Sequence, residues 1–459
     1  MHYQINRALT DVYIEIKKIN RKLAILKVLT QDSTIFTMPQ GVCFQNTFAC
    51  NLRCPHCQTH GVEGQRKYHN SINMPNEMLR RVAHEVLPTA DEYLFTVSGE
   101  PLVSSNFTKL IQEFLPYGAK VELSTNGTLI TPEILAVLIP ATKGIMVSID
   151  GATKLMVEAT RKGAKYKILM QNIKLLTKTV GLLPEELRPS IYFGCTILGS
   201  NIREFPEIVK IAHFLGVPKV YGYFVVIFYD QLKNEDVKNH KPLYNAYYEK
   251  AVEVANSLGI FLCLPPPFKG IQANPYSPIG GDNMIIENFP DDYLETLSAL
   301  SDMDDLIDIE AIDIQAKKIR DIIMNRPHLL RQYNLSNIFS LIRNYVILKR
   351  TKTYYRKLRE QHGPFIEETI KQGSEPIKYC ESLFKRMYIS HTGDIIPCCY
   401  ILTPLGNVCD KRVRNIWNGD TYNDFKNKFL SNNPLRECID CRNISYLSQA
   451  TLYHELNTN

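Results

Sequence analysis

The chain has 459 residues, 45% of them hydrophobic, and a formal net charge of +6, long enough for one large domain and one or two smaller ones. A charge this mild selects no polyanion as partner, so nucleic acid is not expected, and no stretch reaches the roughly 18 uninterrupted apolar residues of a membrane-spanning helix. The twelve cysteines are gathered in clusters rather than spread through a short secreted chain, which excludes a disulfide scaffold and points to metal binding in a reducing compartment, with a cytoplasmic location expected.

Residues 1–40 read as an N-terminal extension, interrupted by charges and lacking an apolar core with a cleavage site. From 41 to 270, short apolar runs alternate with helical patterns. "GVCFQNT", "EYLFTVSG", "AKVELSTNG", "KGIMVSID", "SIYFGCTIL", "VPKVYGYFVVIF" and "GIFLCLPPPF" read as strands. "SSNFTKLIQEFLPY", "TPEILAVLI", "YKILMQNIKLLTKTV" and "EFPEIVKIAHFLG" carry apolar residues at three- and four-residue spacing and read as helices. Such a succession predicts a parallel α/β sheet, curved or barrel-like, whose chemistry sits at the carboxyl ends of the strands.

Residues 271–377 read as a mostly helical insertion opening on the loop "NPYSPIGGDN". Nine acidic residues and no Lys or Arg lie between Asp291 and Asp313, and seven basic residues and no acidic one between Arg343 and Arg359. Either run reads first as a solvated helix face, with guidance of an anionic substrate, a nucleic acid or a membrane surface as the functional alternative. Residues 378–445 form a small cysteine-rich region and 446–459 a tail.

Directly after the first strand, "CNLRCPHC" sets Cys50, Cys54 and Cys57 at C-x3-C-x2-C spacing. A structural zinc site takes four protein ligands, usually two paired motifs; here no fourth cysteine is near, and His56 beside Cys57 would close a strained chelate. A cubane [4Fe–4S] cluster accounts for the spacing better, since three thiolates leave one iron open for an outside ligand.

These residues resemble the CxxxCxxC signature of the radical S-adenosylmethionine (SAM) enzymes. The resemblance implies that the open iron binds the amino and carboxylate groups of S-adenosylmethionine and that the reduced cluster splits it to methionine and a 5′-deoxyadenosyl radical. Further matches come in register at later strand ends. Ser98-Gly99-Glu100-Pro101 is similar to the family's GGEP motif, with serine for its first glycine, and is expected to receive the cofactor's ammonium group. Ser124 and Asn126 in "STNG" stand where relatives contact the cofactor. Ser148 and Asp150 in "SIDGAT" resemble residues facing its ribose and carboxylate, and Arg161 an arginine that pairs with the methionine carboxylate. His56 takes the place of an aromatic residue near the adenine.

Downstream, Cys380 is followed by twelve residues, Gly393, four residues and Cys398, and then by Cys438-x2-Cys441. "RMYIS", "HTGD" and "IIPCC" read as strand, turn and strand. This resembles the SPASM extension of the same enzymes, but no cysteine follows Cys441, whereas the full pattern continues and binds two auxiliary clusters. One auxiliary [4Fe–4S] cluster on Cys380, Cys398, Cys438 and Cys441 is expected, with Cys399 the nearest rival to Cys398, Cys409 a weaker one, and a zinc ribbon on the same thiols as the alternative.

The fold implied is thus a partial (β/α)6 TIM-like barrel followed by a helical segment and a small cysteine-rich SPASM- or twitch-like iron–sulfur domain. The activity implied is hydrogen abstraction from a carbon of a peptide or polar small molecule, leading to oxidation, cross-linking or epimerisation, with an external one-electron donor of flavodoxin or ferredoxin type. A noncatalytic metal-binding protein is the out-of-class reading; it would want a closed ligand set rather than an open one. Only about 40 residues precede the first strand, too few for the winged-helix leader-binding domain of many peptide-modifying relatives, which weighs against a peptide without excluding it. Cys263 is the candidate hydrogen donor for an epimerase, set against the commoner reading of a lone strand cysteine as core.

Overall fold

Every run read as a strand is one: β1 (Gly41–Phe44), β2 (Glu92–Leu94), β3 (Lys120–Thr125), β4 (Thr142–Ser148), β5 (Ser190–Ile197), β6 (Lys219–Phe224) and β7 (Phe261–Cys263) lie side by side in that order. All neighbouring pairs among them are parallel. The computed structural model describes residues 2–61, 73–95, 98–277, 306–325, 336–371, 375–398, 401, 403–431, 433–435, 438, 441 and 444–458.

Helices α1 (His2–Thr30), α2 (Asn76–Val86), α3 (Phe107–Phe114), α4 (Pro132–Ala141), α5 (Lys154–Thr160), α6 (Tyr166–Gly181), α7 (Phe205–Leu215) and α8 (Lys241–Leu258) precede or connect these strands. Their ends are written locally. Thr131 and Thr153 cap α4 and α5 by accepting from the amides of Ile134 and Met156, and α7 and α8 stop at Gly216 and Gly259, both left-handed. Strand residues such as Tyr93, Val121, Ile145, Val147 and Phe193 share one core with the inner faces of α2 to α8.

The second half of the chain adds α9 (Ile309–Asn325), α10 (Ser336–Lys371), β8 (Ile377–Cys380), α11 (Glu381–Phe384), β9 (Arg386–Ile389), β10 (Asp394–Ile396), β11 (Gly406–Asn407), α12 (Val413–Trp417), α13 (Asp420–Leu430), β12 (Ile444–Leu447) and α14 (Gln449–Thr458). The hairpin read from "RMYIS" and "IIPCC" is β9–β10, antiparallel. It does not stand apart: β9 pairs in parallel with β1, from Gly41 opposite Arg386 to Phe44 opposite Ile389, so the sheet runs to ten strands. Because β9 is parallel to β1, its following turn, residues 390–393, emerges at the same rim as the cysteine loop. At the opposite rim Arg386 sits beside buried Glu92, with Nη2 and Nε 2.8 and 3.1 Å from Oε1, while Lys143 Nζ lies 3.1 Å from Oε2.

A second apolar core joins the two ends of the chain. Tyr13, Ile16, Leu23 and Leu26 of α1 pack with Leu348, Leu358 and Ile366 of α10 and with Leu452 and Leu456 of α14. The extension and the tail are therefore helices docked on one another. The basic run lies on α10, where Lys352 is paired with Glu15 of α1 at 3.0 Å. Most of the acidic run lies outside the described residues; its end enters α9, where Asp313 meets Lys178 of α6 at 3.1 Å. No helix among the described residues is long and apolar enough to cross a membrane.

Candidate active site

The loop leaving β1 turns tightly on itself. Cys57 N donates to Cys54 O at 3.0 Å and Gly61 N to Cys57 O at 2.9 Å. Sulfur atoms accept backbone donors as well: Leu52 N lies 3.4 Å from Cys50 Sγ and His60 N 3.4 Å from Cys57 Sγ. Arg53 N, bonded to Lys162 O at 2.8 Å, fastens the loop to the segment after α5. Burial pushes the Cys50 thiol up and that of Cys54 to about 12, with the neighbouring Cys57 sulfur adding to both. A bound cation would reverse that preference, so assembly of a cluster here releases protons.

The Ser98–Pro101 loop is strapped to the thiol loop. Gly99 has φ +84°, and a Cβ there would stand 2.6 Å from Thr47 O and 2.9 Å from Ala49 O; Glu100 N donates to Ala49 O at 2.8 Å. Only glycine tolerates both the conformation and the approach. Replacing Gly99 with alanine is expected to destabilise the protein by on the order of 1–3 kcal/mol and to lower iron retention, measured by urea unfolding and by iron content after reconstitution. Unchanged values for both would remove the strap from the account.

Glu100 is buried and its carboxylate accepts three hydrogen bonds. Oε1 accepts from Thr125 Oγ1 at 2.7 Å and from Leu102 N at 3.2 Å, and Oε2 from Asn126 N at 2.7 Å. Burial raises its pKa against the pull of those donors. Asn126, held this way, sends Nδ2 to Asn51 Oδ1 at 2.9 Å. Asp150 has no exposed surface; Oδ1 accepts from Thr196 N at 2.7 Å, while Oδ2 lies 2.6 Å from Arg161 Nε and 3.4 Å from His56 Nε2. Burial opposes the Arg161 charge, but Asp150, with Cys54 and Cys195 adding to it, holds the guanidinium above its ordinary value. His56 is pulled down to about 4, chiefly by burial, and its Nδ1 is buried without a hydrogen-bond partner.

These pieces face one cavity of about 710 Å³, within the range of cofactor sites. Cys50, Cys54 and Cys57 line it, as do His56, Ser98, Gly99 and Glu100, and so do Ser124, Asn126, Ser148 and Arg161. Pro101 and Asp150 do not; Asp150 lies behind Arg161. Among the described residues no three His, Cys, Asp or Glu groups converge on a single ion. The three thiols line the cavity without converging on one ion. With Ser98, Ser124, Asn126 and Ser148 on the same cavity and the orphaned His56 nitrogen beside them, that donor set fits a cluster carrying a nucleoside-sized ligand on one side.

The sequence reading missed the far wall. Ser390, His391, Thr392 and Asp394 of the C-terminal hairpin line the same cavity. Gln45 bridges the two parts: its Nε2 donates to Ser98 Oγ, and its Oε1 lies 3.2 Å from His391 Nδ1. Deeper in the barrel Glu122, Met146 and Tyr192 complete the lining, with burial raising the pKa of both Glu122 and Tyr192. Strand alternation would have pointed Glu122 and Ser124 the same way; nothing local announces that "SHTGD" faces the first cysteines.

At the other centre Cys380 ends β8, which β12 pairs so that Cys380 lies opposite Ile444, and Ile444 N bonds Cys441 O at 3.2 Å. Burial raises the Cys380 thiol and carries Cys438 to about 11; Cys398 and Cys441 add to both. Cys398 and Cys441 are thus near enough to act on both Cys380 and Cys438 electrostatically, but no three of these thiols converge on a single ion among the described residues. Cys409 is exposed on the loop after β11, and Cys399 lies outside the described residues. Cys263 is exposed on edge strand β7, and the cavity lining does not include it; Cys195 is fully buried beside the Asp150–Arg161 pair.

Known proteins match along this division. The profile of the Radical SAM superfamily matches residues 46–212, and that of SPASM, an iron-sulfur cluster-binding domain, residues 380–442. Mycofactocin maturase MftC of Mycobacterium ulcerans (strain Agy99) is 26% identical over 158 residues, 33% of this chain and 40% of that protein. The AdoMet-dependent heme synthase of Methanosarcina barkeri (strain Fusaro / DSM 804) is 26% identical over 191 residues, 41% of this chain and 51% of its own. The match thus spans about half or less of these relatives' length. Among solved structures, Streptococcus suis SuiB bound to S-adenosylmethionine superposes with TM-score 0.50 at 12% identity, over 88% of this chain and 71% of SuiB, a likeness of fold.

Proposed function

Since the chain belongs to the radical SAM superfamily and carries a SPASM domain behind its barrel, we propose that it is an enzyme abstracting hydrogen from a carbon of a polypeptide substrate. The cofactors of that family and domain are a [4Fe–4S] cluster, S-adenosylmethionine and an auxiliary iron–sulfur cluster; bound and reduced, they supply a 5′-deoxyadenosyl radical. The observation that carries the reading is the shared cavity, with three thiols on one wall and the hairpin of the second cysteine domain on the other.

In this reading Cys50, Cys54 and Cys57 hold the first cluster, and Cys380, Cys398, Cys438 and Cys441 the auxiliary one. Arg161 meets the cofactor's carboxylate. It is kept charged and aimed by Asp150, which stays behind it. Glu100 acts as a positioning residue, fixing the amide of Asn126 and the end of β3. His56, fully buried and held uncharged, offers a flat face to the adenine. His391, Thr392 and Asp394 give the substrate a polar wall and screen the radical from water.

The maturases among its relatives favour a polypeptide over a small metabolite. A flavodoxin- or ferredoxin-type protein supplies the electron, and a reducing cytoplasm suits the thiols. Anaerobic reconstitution and reduction with dithionite tests the reading: 5′-deoxyadenosine should form, and with a deuterated polypeptide substrate it should carry the label. A fully iron-loaded protein that leaves S-adenosylmethionine intact would refute it.

A further inference from the structure

Away from the radical cavity, a pocket of about 320 Å³ lies where the end of α1 meets β8 and α13. Lys27, Gln31, Lys378, Asn423, Lys426 and Asn427 line it, and no carboxylate is among its lining residues. Lys426 is the unusual member. It is 5% exposed, and its Nζ lies 4.1 Å from the centroid of the Trp417 ring and 4.6 Å from that of Tyr422. Among the described residues no carboxylate and no hydrogen bond holds it.

An ammonium withdrawn from water without an anionic partner carries a large desolvation penalty that two ring faces offset only in part. Burial accordingly pulls Lys426 well below its ordinary value, with Lys27 adding to the effect, and brings Lys27 itself to about 8. Lys27 and Lys378 each donate to one carbonyl, Ser33 O at 3.1 Å and Phe429 O at 3.2 Å, and keep further protons for another acceptor. Asp32 stands near Lys27 and supports part of its charge, while its Oδ1 takes Thr34 N at 2.8 Å and Thr34 Oγ1 at 2.6 Å and its Oδ2 lies 3.6 Å from His362 Nε2. Gln31, on the pocket wall, is the one non-glycine residue with positive φ among the described residues, at 52°.

We propose that this pocket is a binding site for a small oxyanion, a phosphate- or carboxylate-bearing ligand held by the ammonium groups of Lys27, Lys378 and Lys426. Such a ligand supplies the negative charge that lets Lys426 carry its proton at this depth and ties α1 to the cysteine-rich domain, since the three lysines come from three separate elements. The site is independent of the radical chemistry and is read without turnover.

Trp417 is the only tryptophan of the chain, and its contact with Lys426 makes it the reporter. The full-length, cluster-loaded protein is titrated with inorganic phosphate and with citrate at constant ionic strength, chloride serving as the control. Tryptophan emission should change saturably with at least one of the two oxyanions, the thermal midpoint should rise, and chloride should do neither. Lys426→Met should abolish the response. Lys27→Met, which leaves the Trp417 contact in place, should weaken binding at least about tenfold and decides the matter if the first variant fails to fold. Absence of saturation with both anions, an equal response to chloride, or unchanged affinity in Lys27→Met overturns the proposal.

Discussion

Replacing Cys54 with alanine should leave S-adenosylmethionine uncleaved, with 5′-deoxyadenosine formation falling by more than the roughly 10- to 100-fold that loss of even an outer partner of a metal ligand produces. Cys54 is the most deeply buried of the three thiols, packed with Leu52 and Ala164, and an alanine there offers the cluster no ligand atom. Cys438→Ala should behave differently. It should lower iron by the content of the auxiliary cluster and stop product formation, while cofactor cleavage persists, because the first three thiols are untouched. Cys409→Ala, exposed, serves as the control and should match the parent in both. The measurements are iron and sulfide content, and 5′-deoxyadenosine released under dithionite. Cleavage at the parent rate by Cys54→Ala would detach these cysteines from the chemistry.

What could be read from the chain, and what could not, follows the range of each interaction. The β1–β7 succession is local: each strand and the helix after it are written in consecutive residues, and parallel order follows from right-handed crossovers. The loops at the strand ends were legible for the same reason, because each motif directly follows its strand. Pairing of β9 with β1 joins Arg386 to Gly41, and no local pattern in either segment announces the other. His391 and Asp394 were therefore read as turn residues and found on the cavity wall. The core of α1, α10 and α14 escaped similarly. Tyr13, Ile16, Leu23 and Leu26 carry helical spacing, but their partners lie more than 300 residues away, and charges between them gave the segment the look of a loose extension.

Sequence likeness also could not separate touching a ligand from supporting what touches it. Glu100 and Asp150 both sit in motifs whose relatives meet the cofactor; here three donors take up part of the Glu100 carboxylate, which still lines the cavity, and Asp150 lies behind Arg161. Motif position gives the neighbourhood of a side chain; which of its atoms remain available depends on neighbours contributed by other strands, here Thr125 on β3 and Thr196 on β5.

That distinction sets the second large effect. Arg161→Met should destabilise the protein by about 3–5 kcal/mol, the range for breaking a buried ion pair from one side. The loss is severe because Asp150 has no exposed surface and would keep only Thr196 N and His56 as partners. Asp150→Asn should cost less. Its amide oxygen can still accept from Thr196 N, and the Arg161 guanidinium it leaves unpaired lines the cavity and can reach water there. Combined, the two substitutions should destabilise by less than the sum of the separate effects, since the double variant buries no lone charge. Urea unfolding of the three variants measures this. Function should split the other way. Asp150→Asn keeps the positive charge and should bind S-adenosylmethionine with a modestly raised KM, whereas the double variant, though more stable than Arg161→Met, should bind it no better than Arg161→Met does. Equal stability of Arg161→Met and the parent would mean that the 2.6 Å pair does not hold this wall of the site, and that Arg161 serves the cofactor alone.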